Sequence, residues 1–197
     1  EKWHAHRMVN EAFNLTITGR QGPVHINIPL REPLYEEIPA PGDVTCIKMS
    51  GSTVFDDPGD HYKIIWKEAG NILLVGGQQA FNPRLTRLLG RIASDKRVCL
   101  IGEPLANLKA EDGIENPELL LALKEDDHRL DPDLLIYFGG QIVSARLKNF
   151  LRSSPVKHGW FVDPAGRHVD TFLHLTSVIQ DDPVHFLEGL SQVEGNN

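Results

Sequence analysis

The sequence is poor in cysteine and has no long apolar run. Cys46 and Cys99 are the only two cysteines among 197 residues, which is too few for a disulfide framework or a structural zinc site. No stretch approaches the roughly 20 apolar residues that a membrane-spanning helix requires, and the first residues do not read as a signal peptide. These absences predict a cytoplasmic protein in a reducing compartment, with no membrane partner.

Basic charge is also in short supply, because 27 acidic residues outnumber 20 lysines and arginines and give a net charge of −7. Proteins that bind nucleic acid generally carry a basic patch or stripe, so the composition argues against a nucleic-acid partner. The hydrophobic fraction of 41% and the charged fraction of 24% are typical of a globular protein. A chain of this length holds one domain and part of another, and the absence of an initiator methionine leads us to expect a truncated chain.

Common catalytic and metal-binding motifs are missing as well. The nine histidines show no HExxH spacing, and no GxSxG nucleophile elbow occurs. Residues 76–81 read Gly-Gly-Gln-Gln-Ala-Phe, which places bulky side chains where a GxGxxG dinucleotide fingerprint needs its later glycines. The sequence therefore predicts no catalytic residue and no metal ligand in this chain.

From residue 61 onward, the sequence alternates regularly between apolar segments and amphipathic helices. The predicted strands are continuously apolar, which is typical of a parallel sheet covered on both faces, and their alternation with helices indicates right-handed βαβ units. We therefore predict a doubly wound α/β domain over residues 61–193, with a mostly parallel, Rossmann-like sheet and helices on both faces. The predicted strands are 72–77, 97–102, 134–140, 159–164 and 176–179, and the predicted helices are 61–69, 83–93, 117–123, 144–151 and 183–190.

The first part of the chain has a different organisation. Apolar spacing predicts a helix over residues 3–15, and strict alternation between two prolines predicts a short strand over residues 24–28. Prolines and glycines are frequent after this strand, which is the composition of a linker between domains. We predict a linker over residues 36–60, with a short edge strand at 45–49 inside it, and a tail at residues 194–197.

Two candidate nucleotide-binding features follow predicted strands. Ligands of open parallel sheets bind at the carboxyl ends of the strands, where the pair Gly76 and Gly77 lies in the position of a phosphate loop. Glu103 follows the next strand and could mimic the acid that binds a ribose. Because the glycine fingerprint is incomplete, a tight turn between strand and helix is the better interpretation of the pair.

Arg146 is a candidate for binding an anionic ligand. It is predicted in the first turn of a helix at the ligand end of the sheet, where a cation opposes the helix dipole. An arginine in this unfavourable place could be reaching for a carboxylate. The alternative is an arginine whose stem covers apolar surface, which is the commoner arrangement.

The most specific string in the chain is Gly-Pro-Val-His-Ile-Asn-Ile-Pro-Leu at residues 22–30, followed by Arg-Glu-Pro-Leu-Tyr at residues 31–35 and preceded by Asn-Glu-Ala at residues 10–12. This string resembles the end of the first domain of thiamine-diphosphate enzymes. Its residues resemble in particular those of the menaquinone-pathway family, the 2-succinyl-5-enolpyruvyl-6-hydroxy-3-cyclohexene-1-carboxylate synthases. Such enzymes have a pyrimidine-binding, a middle and a diphosphate-binding domain. The resemblance implies that residues 1–35 are the last helix and strand of a truncated pyrimidine-binding domain and that residues 61–193 are the middle domain.

The resemblance also implies an activity for the intact enzyme, a transferase that forms carbon–carbon bonds. It would decarboxylate 2-oxoglutarate on thiamine diphosphate held with Mg²⁺, and would add the product to isochorismate as a homo-oligomer. The family's activating glutamate and its Gly-Asp-Gly magnesium motif do not occur here, because both belong to the parts of the enzyme outside this chain. We therefore expect no cofactor on this chain and no activity from it alone, and its partners to be the missing pyrimidine-binding and diphosphate-binding domains.

The same resemblance implies three substrate-binding residues. Arg146, followed by leucine, matches an arginine of the family's middle domain that faces the active site and helps with acidic substrates. Ala145 precedes it where relatives often have lysine. Asn107 and Lys109 lie in a loop, Pro-Leu-Ala-Asn-Leu-Lys at residues 104–109, that is similar to a family loop near the substrate entry, although an ordinary surface loop stays possible for them.

Two other functions remain open from the sequence. One is the equivalent part of an acetolactate synthase, whose middle domain can bind a flavin or an adenine nucleotide; the His-Ile-Asn wording at residues 25–27 argues against it. The other is a free-standing FAD- or NAD-binding module or small oxidoreductase, supported by Gly76, Gly77 and Glu103. A bound flavin or nucleotide in the purified protein would distinguish both from the synthase family.

Overall fold

A computed structural model describes residues 2–17, 22–29, 44–50, 61–108, 113–114, 116–122 and 131–192. The chain forms two compact units, Glu1–Lys48 and Met49–Asn197. The helices are α1 Lys2–Ile17, α2 His61–Glu68, α3 Pro83–Ile92, α4 Pro117–Ala122, α5 Ala145–Ser153 and α6 Pro183–Ser191, and a short 3-10 helix covers Pro104–Ala106. The strands are β1 Lys48–Ser50, β2 Ile72–Gly76, β3 Val98–Gly102, β4 Leu134–Phe138, β5 His158–Val162 and β6 Leu175–Ile179.

The strands form one six-stranded sheet with the order β1-β6-β5-β4-β2-β3. The pairs β2–β3, β2–β4, β4–β5 and β5–β6 are all parallel. Strand order reverses between β2 and β4, because the chain moves outward to β3 on one side and to β5 and β6 on the other. The prediction of a doubly wound, Rossmann-like α/β sheet is confirmed.

Continuous apolar sequence produces this sheet because both of its faces are covered by helices. Alternate strand residues such as Ile72, Leu74 and Ile136 belong to a buried cluster with apolar residues of α2, α3 and α6. Their neighbours point to the opposite face, where α4 and α5 pack against each other. No described helix is long and apolar enough to cross a membrane.

Helix ends are set by side chains that satisfy free backbone groups. Asn82 caps α3 by accepting hydrogen bonds from the backbone N–H groups of Arg84 and Leu85, at 3.0 and 3.2 Å. Asp182, and not its neighbour Asp181, caps α6, since its carboxylate accepts from the N–H of Val184 at 2.8 Å. Each helix also begins with proline at its first position, which suits the helical backbone and needs no donor.

Arg97 closes the far end of α2. Its Nη1 donates to the carbonyl oxygens of Trp66, Lys67 and Ala69 at 2.9, 3.2 and 2.9 Å, which are groups that a helix C-terminus leaves without intrahelical partners. Asp95 holds the other edge of the guanidinium at 2.7 Å. The hydrogen bond from Arg97 lowers the pKa of Asp95 below its ordinary value, despite partial burial.

In the first unit, two asparagine side chains of α1 form hydrogen bonds with the backbone of residues 45–47, as a neighbouring strand would. Asn10 accepts from the N–H of Ile47 at 2.7 Å and donates to the carbonyl of Thr45 at 2.9 Å. Asn14, one turn further along α1, donates to the carbonyl of Ile47 at 3.0 Å. The edge strand predicted at residues 45–49 therefore begins later, at Lys48. Backbone groups of residues 45–47 form hydrogen bonds with these side chains and are not available to pair with a strand.

Two expectations for the first unit were wrong. The helix, which apolar spacing predicted over residues 3–15, extends over Lys2–Ile17, but the apolar Phe13 is 69% exposed, whereas the polar Asn14 is buried. Residues 24–28 do not form a strand, and Ile28 in that segment is also 69% exposed. A strand is stable only when its backbone groups pair with a neighbour, and no other described segment forms a ladder with this one.

Other predicted boundaries agree with the structure or differ from it by one or two residues, as expected where turns compete with regular structure. One example is β4, which ends at Phe138, two residues before the predicted end, because the two following glycines form a turn. Most of the predicted linker, the tail at 194–197 and the end of the predicted helix at residue 123 lie outside the described residues. The domain assignment itself stays a prediction.

Candidate functional site

The loops that follow β2 and β4 are joined by their backbones. The N–H of Gly77 donates to the carbonyl of Phe138 at 2.9 Å, and the N–H of Gly140 donates to the carbonyl of Gln78 at 2.8 Å. A Cβ atom placed on Gly77 would lie 2.2 Å from the carbonyl oxygen of Gly140. Only glycine permits this approach, and we call the contact of Gly77 and Gln78 with Gly140 the glycine clasp.

The glycine clasp occupies the place where a doubly wound sheet usually binds a nucleotide. That place is the crevice at the point where strand order reverses, here between β2 and β4. Gly139 adopts a φ of +82°, a left-handed conformation that favours glycine and turns the loop toward its neighbour. Because the two loops bond directly to each other, the geometry supports the interpretation of Gly76 and Gly77 as a turn and removes the best argument for a nucleotide.

Glu103 has a structural partner at the start of α5. Its two carboxylate oxygens accept hydrogen bonds from the backbone N–H groups of Val143 and Ser144, at 2.6 and 2.5 Å, and the residue is only 8% exposed. A carboxylate at this place satisfies free N–H groups and interacts favourably with the helix dipole. The expectation that Glu103 binds a ribose finds no support, because both of its oxygens are engaged within the chain.

Ser144 links this carboxylate to a second one on α4. Its hydroxyl accepts a hydrogen bond from the N–H of Leu147 at 2.9 Å, as an N-cap of α5. The same hydroxyl donates to Oε1 of Glu118, so the first turns of α4 and α5 are joined by side chains. Glu118 was not among the residues singled out from the sequence, and only its place just after the cap Asn116 indicated that it begins a helix.

Arg146 lies next to Glu118 at the rim of this arrangement. Its Nε is 3.6 Å from Oε2 of Glu118, and its Nη1 donates to the backbone carbonyl of the same residue at 3.3 Å. The arginine side chain is 51% exposed, so it is neither buried under apolar groups nor enclosed in a pocket. The structure therefore places Arg146 at the carboxyl edge of the sheet with a carboxylate partner of its own.

The two remaining predicted site residues lie in the loop after β3. Asn107 ends the short 3-10 helix with a φ of +52°, and its Nδ2 donates to the carbonyl of Gln79 at 2.7 Å. The N–H of Gln79 in turn donates to the carbonyl of Leu105 at 3.1 Å. Asn107 thus ties the loops after β2 and β3 together, and Lys109 lies outside the described residues.

A cavity of about 520 Å³ opens beside these groups. Apolar residues such as Leu105 and Val143 form part of its lining, together with Glu103, Glu118 and Ser144. Arg146, bound to Glu118, is adjacent to this lining in sequence and in space. The cavity, the loop of Asn107 and the first turns of α4 and α5 therefore all meet at one end of the sheet.

The ends of β5 and β6 carry two further pairs of interacting polar side chains. Asp163, which is buried, accepts hydrogen bonds from Nη2 and Nε of Arg167 at 2.7 and 3.0 Å. Burial alone would raise the pKa of Asp163, but the hydrogen bonds and charge of Arg167 outweigh it and hold the pKa below its ordinary value. Asp181 binds Nδ1 of His185 at 2.6 Å. In both pairs the two partners are four residues apart in the sequence, and each pair stabilises the loop in which it occurs.

A buried polar group also supports the loop between β5 and β6. The hydroxyl of Tyr137 on β4 donates to the carbonyl of Val169 at 2.6 Å. Burial, reinforced by the nearby charge of Asp170, raises the pKa of Tyr137 well above its ordinary value. Asp170 accepts from the N–H groups of His174 and Leu175 at 3.1 and 3.2 Å. These hydrogen bonds hold the loop between β5 and β6 against β4.

Metal binding has no geometric support in the part of the chain that the structure describes. No three histidine, cysteine, aspartate or glutamate side chains there come close enough together to hold an ion. The free thiol of Cys99 is partly buried, and burial raises its pKa, which makes it a poor nucleophile or ligand. The chemistry available at the sheet end is therefore the binding of a ligand by charge and hydrogen bonds.

Several relatives found by comparison with known proteins share one name. The chain is 34% identical over 208 residues to a 2-succinyl-5-enolpyruvyl-6-hydroxy-3-cyclohexene-1-carboxylate synthase of Bacteroides thetaiotaomicron, a match that covers 100% of the chain and 36% of the relative. It is 35% identical over 198 residues to the synthase of that name from Cytophaga hutchinsonii, covering 97% of the chain and 34% of the relative. A third, from Desulfotalea psychrophila, is 32% identical over 195 residues. No family model matches the sequence.

The matches cover the whole chain but only part of each relative. Practically every residue of the chain aligns, but the chain spans only about a third of the length of the relatives. The resemblance that residues 22–35 indicated is therefore confirmed: over its whole length, this chain corresponds to part of a 2-succinyl-5-enolpyruvyl-6-hydroxy-3-cyclohexene-1-carboxylate synthase.

Proposed function

We propose that this chain is the middle domain, with the adjoining end of the pyrimidine-binding domain, of a synthase of menaquinone biosynthesis. The intact enzyme would decarboxylate 2-oxoglutarate and add the product to isochorismate. The observation that carries the proposal is the alignment of the whole chain with 36% of the Bacteroides thetaiotaomicron synthase. In this proposal the doubly wound unit spaces the cofactor-binding domains and lines the edge of the substrate site.

The described residues do not fit thiamine diphosphate and Mg²⁺. The glycine clasp leaves no cradle for a diphosphate between β2 and β4, since a Cβ on Gly77 would already meet the oxygen of Gly140 at 2.2 Å. No cluster of three metal-binding side chains occurs in the described ranges. We therefore assign the cofactor to the remainder of the intact enzyme, and this chain alone is proposed to be inactive.

The proposed contribution of this chain to the substrate site is Arg146. Both 2-oxoglutarate and isochorismate carry carboxylates, and a guanidinium binds a carboxylate through charge-assisted hydrogen bonds, often two at once. Arg146 is half exposed at the carboxyl edge of the sheet, which is the edge where parallel α/β folds bind ligands. Asn107 contributes by fixing the neighbouring loop, and Lys109 is proposed to bind substrate as well.

Titration calorimetry of the purified chain tests the proposal that it carries no cofactor site. Thiamine diphosphate with Mg²⁺, FAD and NAD are each titrated separately into the chain. We expect no binding heat with any of them. Micromolar or tighter binding of FAD or NAD would overturn the assignment in favour of a nucleotide-binding module, and binding of thiamine diphosphate would show that the chain holds a cofactor by itself.

Steady-state kinetics of the intact synthase test the role of Arg146. We expect Arg146→Ala to raise the KM of one carboxylate substrate by about tenfold or more, because a hydrogen bond to a charged group contributes roughly 1.5–3 kcal/mol. Arg152→Ala is the matched control, since Arg152 is an exposed arginine near the other end of the same helix. Unchanged KM values for both substrates in Arg146→Ala would exclude Arg146 from the substrate site.

A further inference from the structure

We infer that Glu118 is a positioning residue for Arg146 and holds its guanidinium in the orientation that receives a substrate carboxylate. This inference rests on the proposed function, because it assumes that Arg146 binds an acidic substrate. The contacts between the two residues involve the Nε and Nη1 atoms of the guanidinium. Nε lies 3.6 Å from the Glu118 carboxylate, and Nη1 donates to the Glu118 carbonyl at 3.3 Å.

The third nitrogen of the guanidinium, Nη2, stays available to a ligand. Among the described side chains and backbone groups, none accepts a hydrogen bond from Nη2 of Arg146, and the side chain is 51% exposed. A guanidinium has five N–H donors in a rigid fork, so a ligand carboxylate can bind at Nη2 without displacing Glu118. The separation of 3.6 Å between Nε and the carboxylate is also longer than a strong charge-assisted hydrogen bond. Glu118 therefore orients the guanidinium without occupying its hydrogen-bonding capacity.

Glu118 is itself held firmly, which a positioning residue requires. Its Oε1 accepts the hydroxyl hydrogen of Ser144. Ser144 is fixed twice more, because its hydroxyl caps α5 at the N–H of Leu147 and its own N–H donates to Glu103. The chain of contacts therefore runs from buried Glu103 through Ser144 to Glu118 and then to Arg146. The first link joins the loop after β3 to the start of α5, and the other two join the first turns of α5 and α4.

The physical benefit is a smaller entropic loss on binding. A free arginine side chain carries considerable rotamer entropy, part of which is lost whenever a ligand immobilises it. Contacts with Glu118 restrict the side chain before the substrate arrives. The negative charge of Glu118 has a further effect, because a single fixed carboxylate beside the arginine favours an approach from the Nη2 side only.

A double-mutant cycle in the intact synthase tests the inference. Glu118→Ala, Arg146→Ala and the double variant are compared with the unmodified enzyme through kcat and KM for 2-oxoglutarate and isochorismate. We expect Glu118→Ala to raise one KM about two- to fivefold with kcat little changed, which is the range expected from an exposed ion pair. In the Arg146→Ala background the same substitution should have no further effect, because its consequence passes through Arg146.

Glu188→Ala is the matched control. Glu188 pairs with Arg84 at 2.7 Å across α3 and α6, which pack on the other face of the sheet, so the variant removes an exposed ion pair away from the proposed site. We expect unchanged KM values in this control. Glu118→Gln should stay within about twofold of the unmodified enzyme, since an amide oxygen still accepts the hydrogen bond from Ser144 and still lies beside Nε of Arg146.

The outcomes separate the two proposals. If Arg146→Ala raises KM and Glu118→Ala does not, the positioning role is wrong and the substrate role of Arg146 stands. If Glu118→Ala raises KM equally with and without Arg146, the effect is a general loosening of α4 and α5, and the inference is overturned. If Arg146→Ala itself changes no KM, the proposed substrate site fails, and the inference fails with it.

Discussion

The glycine clasp provides the most direct test of how the sheet end is built. Gly77→Ala would place a methyl carbon 2.2 Å from the carbonyl oxygen of Gly140, 3.0 Å from its carbon and 3.3 Å from its nitrogen. All three neighbours are backbone atoms and cannot rotate away. The loops must therefore separate, which threatens the hydrogen bonds that Gly77 and Gly140 donate across the clasp.

The magnitude follows from these two effects. Overpacking a well-packed site costs typically 1–3 kcal/mol, and each backbone hydrogen bond lost contributes about 0.5–1.5 kcal/mol. We expect Gly77→Ala to lower the free energy of unfolding by about 2–5 kcal/mol. This loss is large against the 5–15 kcal/mol that stabilises a typical domain.

Urea denaturation of the purified chain measures this loss through the fluorescence of Trp66 and Trp160, both buried in the second unit. Gly90→Ala is the matched control, because a Cβ at Gly90 in α3 meets nothing within 4 Å. Alanine in a helix interior is favoured over glycine by roughly 0.5–1 kcal/mol, so the control should become slightly more stable. If Gly77→Ala stays within about 0.5 kcal/mol of the unmodified chain, the scatter typical of neutral surface changes, the loops tolerate separation and the clasp does not fix the sheet end.

Three further predictions concern other parts of the chain. Arg97→Ala should destabilise the second unit by about 2 kcal/mol, because the carbonyl groups at the end of α2 lose their common donor; urea denaturation checks this, and a change as small as that of the exposed Arg87→Ala would contradict it. Asn10→Ala should accelerate hydrogen exchange of the Ile47 amide at least about tenfold, because that N–H loses its acceptor; an unchanged rate would show that other contacts hold the segment. The pKa of Asp163 is lowered from 3.8 in the folded chain, so its ionised form stabilises the fold above that pH and the contribution disappears as the pH falls through the folded pKa. The stability advantage of the unmodified chain over Asp163→Asn should therefore shrink on acidification below about pH 4, and a constant advantage would refute the ion pair with Arg167 as its cause.

Most of the second unit could be predicted from the sequence because its signals are local. Continuous apolar strands and helix periodicity specify a covered parallel sheet, and the strands from β2 to β6 appear where they were expected. The first unit was harder. Alternation at residues 24–28 has the pattern of a strand, but it does not specify the neighbouring strand with which that segment would pair. The asparagines of α1 also form hydrogen bonds with the backbone of residues 45–47, which local sequence does not indicate.

The candidate site was only partly predictable. Arg146 was singled out because a cation in the first turn of a helix is unusual, and because of the family resemblance. Glu118 was missed because nothing in its neighbourhood shows which helix it faces. Glu103 was noticed for the wrong reason, since its place after a strand suggested a ribose ligand and its partners turned out to be backbone N–H groups at the start of α5.

The sequence by itself determined the fold class, the order of strands and helices in the second unit, and the family. The apolar pattern of each element and the motif at residues 22–35 both lie in short continuous segments, so they can be recognised without the tertiary structure. Tertiary structure alone decided which polar groups meet. The closing of the crevice by the glycine clasp, the use of Glu103 at α5 and the contact of Glu118 with Arg146 each join segments that are distant in the chain. Hydrogen bonds and ion pairs act over only a few ångströms, so the topology of the sheet selects these partners and the local sequence does not.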